Sequence, residues 1–280
     1  MRIVITATKA CIYLYVSSHE ESMTMSLPLH APNPHHCLIG PLPQLFHGEL
    51  AAYGAALAVA DSTAPAGTVL AAFLDGPQLP AALARFALRF PGAHPKALAS
   101  TWSKLYFNAL LVPVLAASAA CGWRFPLAPG RVRFLAAADG APLRFLLEDA
   151  GAASPDLDSA ARLQPLVRGH LAPVVDALAR QCRLAPRLLW NNAAVIAEET
   201  LLQCQMLMGS QPRIAADLAF LCASAQWPDR LANPMHQPTR LVANVRQRQL
   251  CCLRYRLRLD FCADCPLDCR QRQAAQRNLR

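Results

Sequence analysis

From Phe46 onward, apolar residues recur with a spacing near 3.6, and the alanine-rich segments 46–60, 79–90, 97–121, 159–181 and 186–208 each predict a helix. Between the third and fourth, Arg131–Ala137 and Pro142–Glu148 are short runs on either side of Asp139-Gly140, a pair that accepts positive φ and predicts an antiparallel hairpin. A period of two returns near the C-terminus. There Leu253, Tyr255, Leu257, Leu259 and Phe261 alternate with Arg254, Arg256, Arg258 and Asp260, which predicts a strand. Residues 1–45 lack any period and are broken by Pro28, Pro32, Pro34, Pro41 and Pro43, so they read as a poorly ordered leader, with Met23 or Met25 as alternative starts. Trp227–Pro238, with Pro228, Pro234 and Pro238, reads as a linker. The predicted class is α+β: a leader over 1–45, a predominantly helical body with one small antiparallel hairpin over 46–238, and a cysteine-rich segment over 239–280.

Composition narrows the class. With 280 residues, 54% hydrophobic and 16% charged, the chain can bury a sizeable core, and intrinsic disorder or a coiled coil is excluded. The nineteen uncharged residues Leu105–Trp123 are long enough to cross a bilayer. Asn108, Pro113 and Ser118 within them favour a buried core helix, kinked near Pro113. Met1–Val16 is interrupted by Thr6, Thr8 and Lys9, with no small-residue cleavage site after it, and is not read as a signal peptide. The net charge of +9 is uneven: from Arg240 on, ten arginines face three aspartates, while the body is nearly neutral. Such a tail suits a local anionic partner rather than a whole surface built for nucleic acid.

Eleven cysteines are too sparse for a disulfide scaffold and odd in number, which points to reduced thiols. Five of them, Cys251, Cys252, Cys262, Cys265 and Cys269, fall within nineteen residues. Thiolates are soft ligands for zinc, copper(I) and iron-sulfur clusters, and the Cys262-Ala-Asp-Cys265 spacing lets one turn aim two sulfurs at a metal. The adjacent Cys251-Cys252 pair sits awkwardly on one tetrahedral ion, because neighbouring side chains on extended backbone diverge. Two metals relieve that conflict. Spacing alone leaves an iron-sulfur cluster, a zinc site and plain structural thiols open. Arginines beside such a cluster would favour its reduced form and can dock an acidic donor.

The cysteine segment resembles that of the FhuF-like siderophore ferric-iron reductases, which carry Cys-Cys, about ten residues, then Cys-x-x-Cys. Here nine residues separate Cys251-Cys252 from Cys262-x-x-Cys265, one fewer, and Pro266-Leu267 follows in family style. Ser100-Thr-Trp-Ser-Lys-Leu-Tyr-Phe107 and Leu184–Asn192 also resemble the family's helical body, so the likeness runs from about Leu45 to Leu267. It implies a cytoplasmic oxidoreductase holding a 2Fe-2S cluster on Cys251, Cys252, Cys262 and Cys265. Its electron would go from a separate donor protein to a ferric siderophore, expected to be of the hydroxamate type, releasing Fe(II). Cys269 lies outside that ligand set. Two other readings compete: a zinc-bearing basic module contacting nucleic acid, and a siderophore-binding or siderophore-biosynthesis protein without redox role. The first reading expects no nucleic-acid partner, and the basic tail also admits peripheral membrane attachment.

Remaining residues take structural roles. Trp102, Tyr106 and Trp190 read as core, Glu198-Glu199 as a solvated helix face, and Cys121, Cys182, Cys204 and Cys222 as packing residues. His35-His36-Cys37 is assigned nothing. No glycine-rich phosphate loop precedes a helix, which is why the electrons are expected from another protein.

Overall fold

A computed structural model describes residues 39–60 and 67–277. Residues 1–38 of the leader read over 1–45, with His35-His36-Cys37, lie outside the described residues; its last stretch is corrected, since Leu42–Leu45 forms a short helix with Leu42 and Leu45 buried in the core. In chain order the elements are α1 (Leu42–Leu45), α2 (Ala51–Gly54), β1 (Leu57–Val59), β2 (Thr68–Val69), α3 (Leu70–Asp75), α4 (Gln78–Ala87), α5 (Pro95–Cys121), β3 (Trp123–Arg124), β4 (Val132–Ala136), β5 (Pro142–Leu147), β6 (Ala152–Ala153), α6 (Ser159–Gln164), α7 (Ala172–Cys182), α8 (Pro186–Met208), α9 (Pro212–Leu218), β7 (Thr239–Val242), β8 (Val245–Arg248) and α10 (Cys269–Arg277). The class is α+β, helical for the most part with small sheets.

Helix α5 is the axis of the molecule. Pro95 at its first turn needs no backbone partner, the His94 side chain accepts the Lys96 N–H, and Gly122 in the left-handed region ends the helix. It is long and apolar enough to cross a bilayer, yet most of its residues are buried by the other elements, as the core-helix reading expects. Its main partner is α8. Trp102 and Tyr106 from α5, with Phe134 from β4 and Phe145 from β5, form one fully enclosed aromatic cluster, and the Tyr106 and Phe145 rings meet edge to face at 5.0 Å. Each such ring contributes roughly 1.5–3 kcal/mol of burial.

The hairpin forms as the pattern predicts. Asp139 Oδ1 accepts the Ala141 N–H at 3.0 Å, and Gly140 takes a φ of +82°. A Cβ there would sit 2.0 Å from the Ala82 carbonyl oxygen of α4, so only glycine lets the turn dock, and Trp102 Nε1 donates to the Gly140 carbonyl at 2.8 Å. The hairpin belongs to a four-stranded mixed sheet, β1-β5-β4-β2, in which β1 runs parallel to β5. That strand corrects the helix read over 46–60. Leu57 and Ala58 are both buried, so neither periodicity shows and the apolar run looks helical.

The segment 159–181 is one continuous helical run with a π-helical stretch at Pro165–Leu171 joining α6 to α7. Pro165 lacks the N–H that an α-helix would use, and the wider turn accommodates its ring. Within it His170 is fully buried: Nδ1–H donates to the Leu127 carbonyl and Nε2 accepts from the Tyr106 hydroxyl. The linker reading of Trp227–Pro238 is also corrected. Asn233 donates to the carbonyls of Phe220, Leu221 and Ser224, and Met235 is buried, so the stretch is a packed turn system.

The strand read over Leu253–Phe261 does not form. In its place a 3₁₀ turn, Arg254–Leu257, is bracketed by Leu253 and Arg258, both in the left-handed region at φ 63° and 60°. Distance explains the outcome: ten extended residues would hold Cys252 and Cys262 about 33 Å apart, whereas their sulfurs lie 3.0 Å apart. A straight strand and a shared thiol site exclude one another.

Candidate metal centre

The site is built on a hairpin that sequence reading overlooked. β7 and β8 pair antiparallel through a two-residue turn, Ala243-Asn244, with both residues at positive φ, the geometry that matches strand twist. The hairpin is fastened to α8 by Glu198, whose carboxylate accepts from Thr239 Oγ1 and Arg246 Nη2, each at 2.8 Å. Glu198 is therefore a docking residue rather than part of a solvated face. Glu199 beside it is half-buried, and burial, aided by Asp264, raises its carboxyl pKa.

The chain leaves β8 at Arg248, three residues before the first thiol. Cys252, Cys262 and Cys265 are buried together, packed by Phe261 and Leu267, and Cys251 is half-buried beside them. The turn through Ala263-Asp264 closes with Cys265 N–H donating to the Cys262 carbonyl at 3.1 Å. The Cys262 thiol hydrogen-bonds Cys252 across the 3.0 Å gap. That contact lowers the Cys252 pKa well below the ordinary thiol value and raises that of Cys262. Burial pushes Cys251 up to about 11. Lys104 and Arg248 both oppose burial electrostatically at Cys252 and Cys262. Cys269 opens α10 and is exposed, unlike the buried Cys252, Cys262 and Cys265. All nine cysteines among the described residues are free.

Behind the thiols lies a buried polar chain reaching into the helical body. Ser100 Oγ of α5 donates to the Cys252 carbonyl at 2.8 Å. Asn192 Nδ2 of α8 donates to Ser100 Oγ and Ser103 Oγ, each at 3.1 Å, and Asn192 Oδ1 accepts from the Arg248 guanidinium. Arg248 is 1% exposed; its backbone N–H donates to the Asp264 carbonyl at 2.8 Å, and its Nε stands 3.9 Å from the Asp264 carboxylate. Neighbouring Asn191 accepts from Leu250 N–H and donates to the Pro238 carbonyl. At the outer edge Arg272 donates to the carbonyls of Leu267 and Cys265 and covers the Phe261 ring.

Sequence reading named the four cysteines, three of which the structure buries together, and missed Ser100, Asn191, Asn192 and Arg248. One signal was present: small uncharged polar residues at core positions of apolar helices must find partners when buried. Trp102 and Tyr106 are core as read, and Trp190 packs at its margin.

The donor set consists of sulfur alone, the soft type that zinc, copper(I) and iron-sulfur clusters take. Among the described residues no three His, Cys, Asp or Glu side chains are placed as a group that could hold a metal ion. Cys252 and Cys262 form a close sulfur pair, with Cys265 buried next to them and Cys251 half-buried. The cavity between α1, α2, α5 and α8 is a different environment: about 60 Å³, lined by residues such as Phe46, Tyr53, Val112 and Met208, and too small and apolar for a charged iron chelate.

Among known proteins, the model of the ferric iron reductase FhuF-like transporter family matches residues 100–249, from the Ser100 contact to just short of the cysteine pair. No curated protein matches the sequence. Solved structures that align include the ATP-bound aerobactin synthetase IucA from a hypervirulent pathotype of Klebsiella pneumoniae, at TM-score 0.49 and 16% identity, covering 61% of this chain and 37% of that one. The aerobactin synthetase IucC from the same source aligns at TM-score 0.46 and 17% identity, covering 61% and 36%. The chain thus aligns with little more than a third of either synthetase. With more than half its length matched, including the two helices that hold the thiol segment, the chain belongs to the ferric iron reductase FhuF-like family.

Proposed function

We propose that this protein reduces Fe(III) in a ferric siderophore by one electron, using a 2Fe-2S cluster held by Cys251, Cys252, Cys262 and Cys265, so that Fe(II) is released. The observation that carries this reading is the joint burial of Cys252, Cys262 and Cys265, with Cys251 half-buried next to Cys252, on the helical body of a ferric iron reductase FhuF-like family. When bound, the cluster supplies a reversible one-electron store.

The chain's own residues do the rest. Phe261 and Leu267 shield the sulfurs from water, and the Ser100 hydroxyl fixes the backbone at Cys252. Arg248 and Lys104 give the pocket a positive potential that holds thiolate charge. Arg256, Arg258 and Arg270 are exposed on the same short segment. They offer an anionic ferric chelate and an acidic electron-carrier protein a surface of opposite sign.

The balance is simple. One electron leaves the carrier protein, Fe(III) becomes Fe(II), and the chelator's hard oxygen ligands, which hold the trivalent ion far better, let go and take protons from water. A hydroxamate chelator and a cytoplasmic setting, where free thiols persist, complete the proposal.

The test is an anaerobic preparation assayed for iron, acid-labile sulfide and zinc, with low-temperature electron spin resonance. Iron and sulfide in equal amounts, a spin signal on one-electron reduction, and loss of iron release in Cys262→Ser support the reading. Zinc without sulfide, or full iron release by Cys262→Ser, overturns it.

A further inference from the structure

We propose that Arg248 is the positioning residue of the thiol site, clasping both cysteine pairs to the body and setting its charge. The geometry is a closed circuit. Cys251-Cys252 follows Arg248 by three residues, Asp264 lies between Cys262 and Cys265, and the Arg248 backbone N–H bonds the Asp264 carbonyl at 2.8 Å. The side chain turns inward to Asn192, which bonds Ser100, which bonds the Cys252 carbonyl. One residue therefore reaches the Cys251-Cys252 pair by its side chain through the body, and the Cys262–Cys265 turn by its backbone N–H and the approach of its Nε to the Asp264 carboxylate at 3.9 Å.

Burial also makes the charge count. At 1% exposure the guanidinium is weakly screened, unlike those of Arg256 and Arg258. A fixed cation beside the sulfurs favours the more negative, reduced state and raises the reduction potential. This second role rests on the 2Fe-2S reading, whereas the clasp does not.

The experiment separates the two. In metal-free protein, amide hydrogen exchange over residues 250–266 is measured against α8 as internal reference. Arg248→Met and Ser100→Ala should both speed exchange there by tenfold or more. In metal-loaded protein, Arg248→Met should lower the midpoint potential, Arg248→Lys should restore it, and Ser100→Ala, which keeps the cation, should leave it close to wild type. Unchanged exchange in both variants overturns the clasp. Equal potential shifts in Arg248→Met and Ser100→Ala, or no recovery in Arg248→Lys, overturn the electrostatic role. If Arg248→Met loses helical content, Arg248→Lys and Ser100→Ala decide. Wild-type protein without a cluster refutes the proposed function and leaves the exchange result to judge the clasp.

Discussion

Replacing Asn192 by leucine, close in volume and unable to hydrogen-bond, tests the buried polar chain most directly. The two sides of the amide are unequal. Ser100 Oγ still donates to the Cys252 carbonyl, and Ser103 Oγ still donates to the Ser100 carbonyl at 2.7 Å, so each hydroxyl loses only a donor that it accepted. Arg248 loses an oxygen acceptor for a buried charged N–H. Hydrogen bonds to charged groups are worth about 1.5–3 kcal/mol, and the hydroxyls add a few tenths, so the expected loss is about 2–3 kcal/mol. For a chain of this size a urea slope of about 2–3 kcal/mol per molar turns that into a midpoint drop of about 1 M, read by far-ultraviolet circular dichroism. Asn192→Asp keeps the acceptor and should lose less. A drop under about 0.3 M for Asn192→Leu would mean that Arg248 does not depend on this amide, and the account of the chain would fail.

Three further outcomes follow from particular contacts. His170 is held neutral, its pKa lowered by burial from 6.5 to about 4, so between those values the unfolded chain binds a proton that the folded one refuses. Stability should fall as pH drops through that window, by on the order of 3 kcal/mol in all, and urea midpoints against pH should lose this slope in His170→Gln; a slope that persists rejects the assignment. Gly140→Ala forces a left-handed alanine against the Ala82 carbonyl, and about 2–5 kcal/mol of strain and overpacking should lower Tm in calorimetry by about 5–15 °C. A Tm equal to wild type would show that the turn is free to move. Under the proposed function, Cys269→Ser should leave iron and sulfide content unchanged, because its thiol is exposed whereas Cys252, Cys262 and Cys265 are buried; loss of bound iron on analysis would make Cys269 a ligand.

The sequence by itself determined the long helices and the hairpin at Asp139-Gly140, because periodicity and turn chemistry are local: each residue's preference is decided within a turn or a strand pair. It also singled out the side chains proposed as soft ligands, because five cysteines fall within nineteen residues. What it did not determine depends on partners far along the chain. Leu57–Val59 becomes a strand only because β5, almost ninety residues later, offers it an edge. The alternating Leu253–Phe261 run has a strand's pattern, but the thiols at its two ends are drawn together, so the backbone folds back through two left-handed residues. Arg248 is one of ten arginines in its stretch and carries no mark of difference. Only packing between α5 and α8 buries it and gives it Asn192, and burial is what turns an ordinary surface charge into a fixed one.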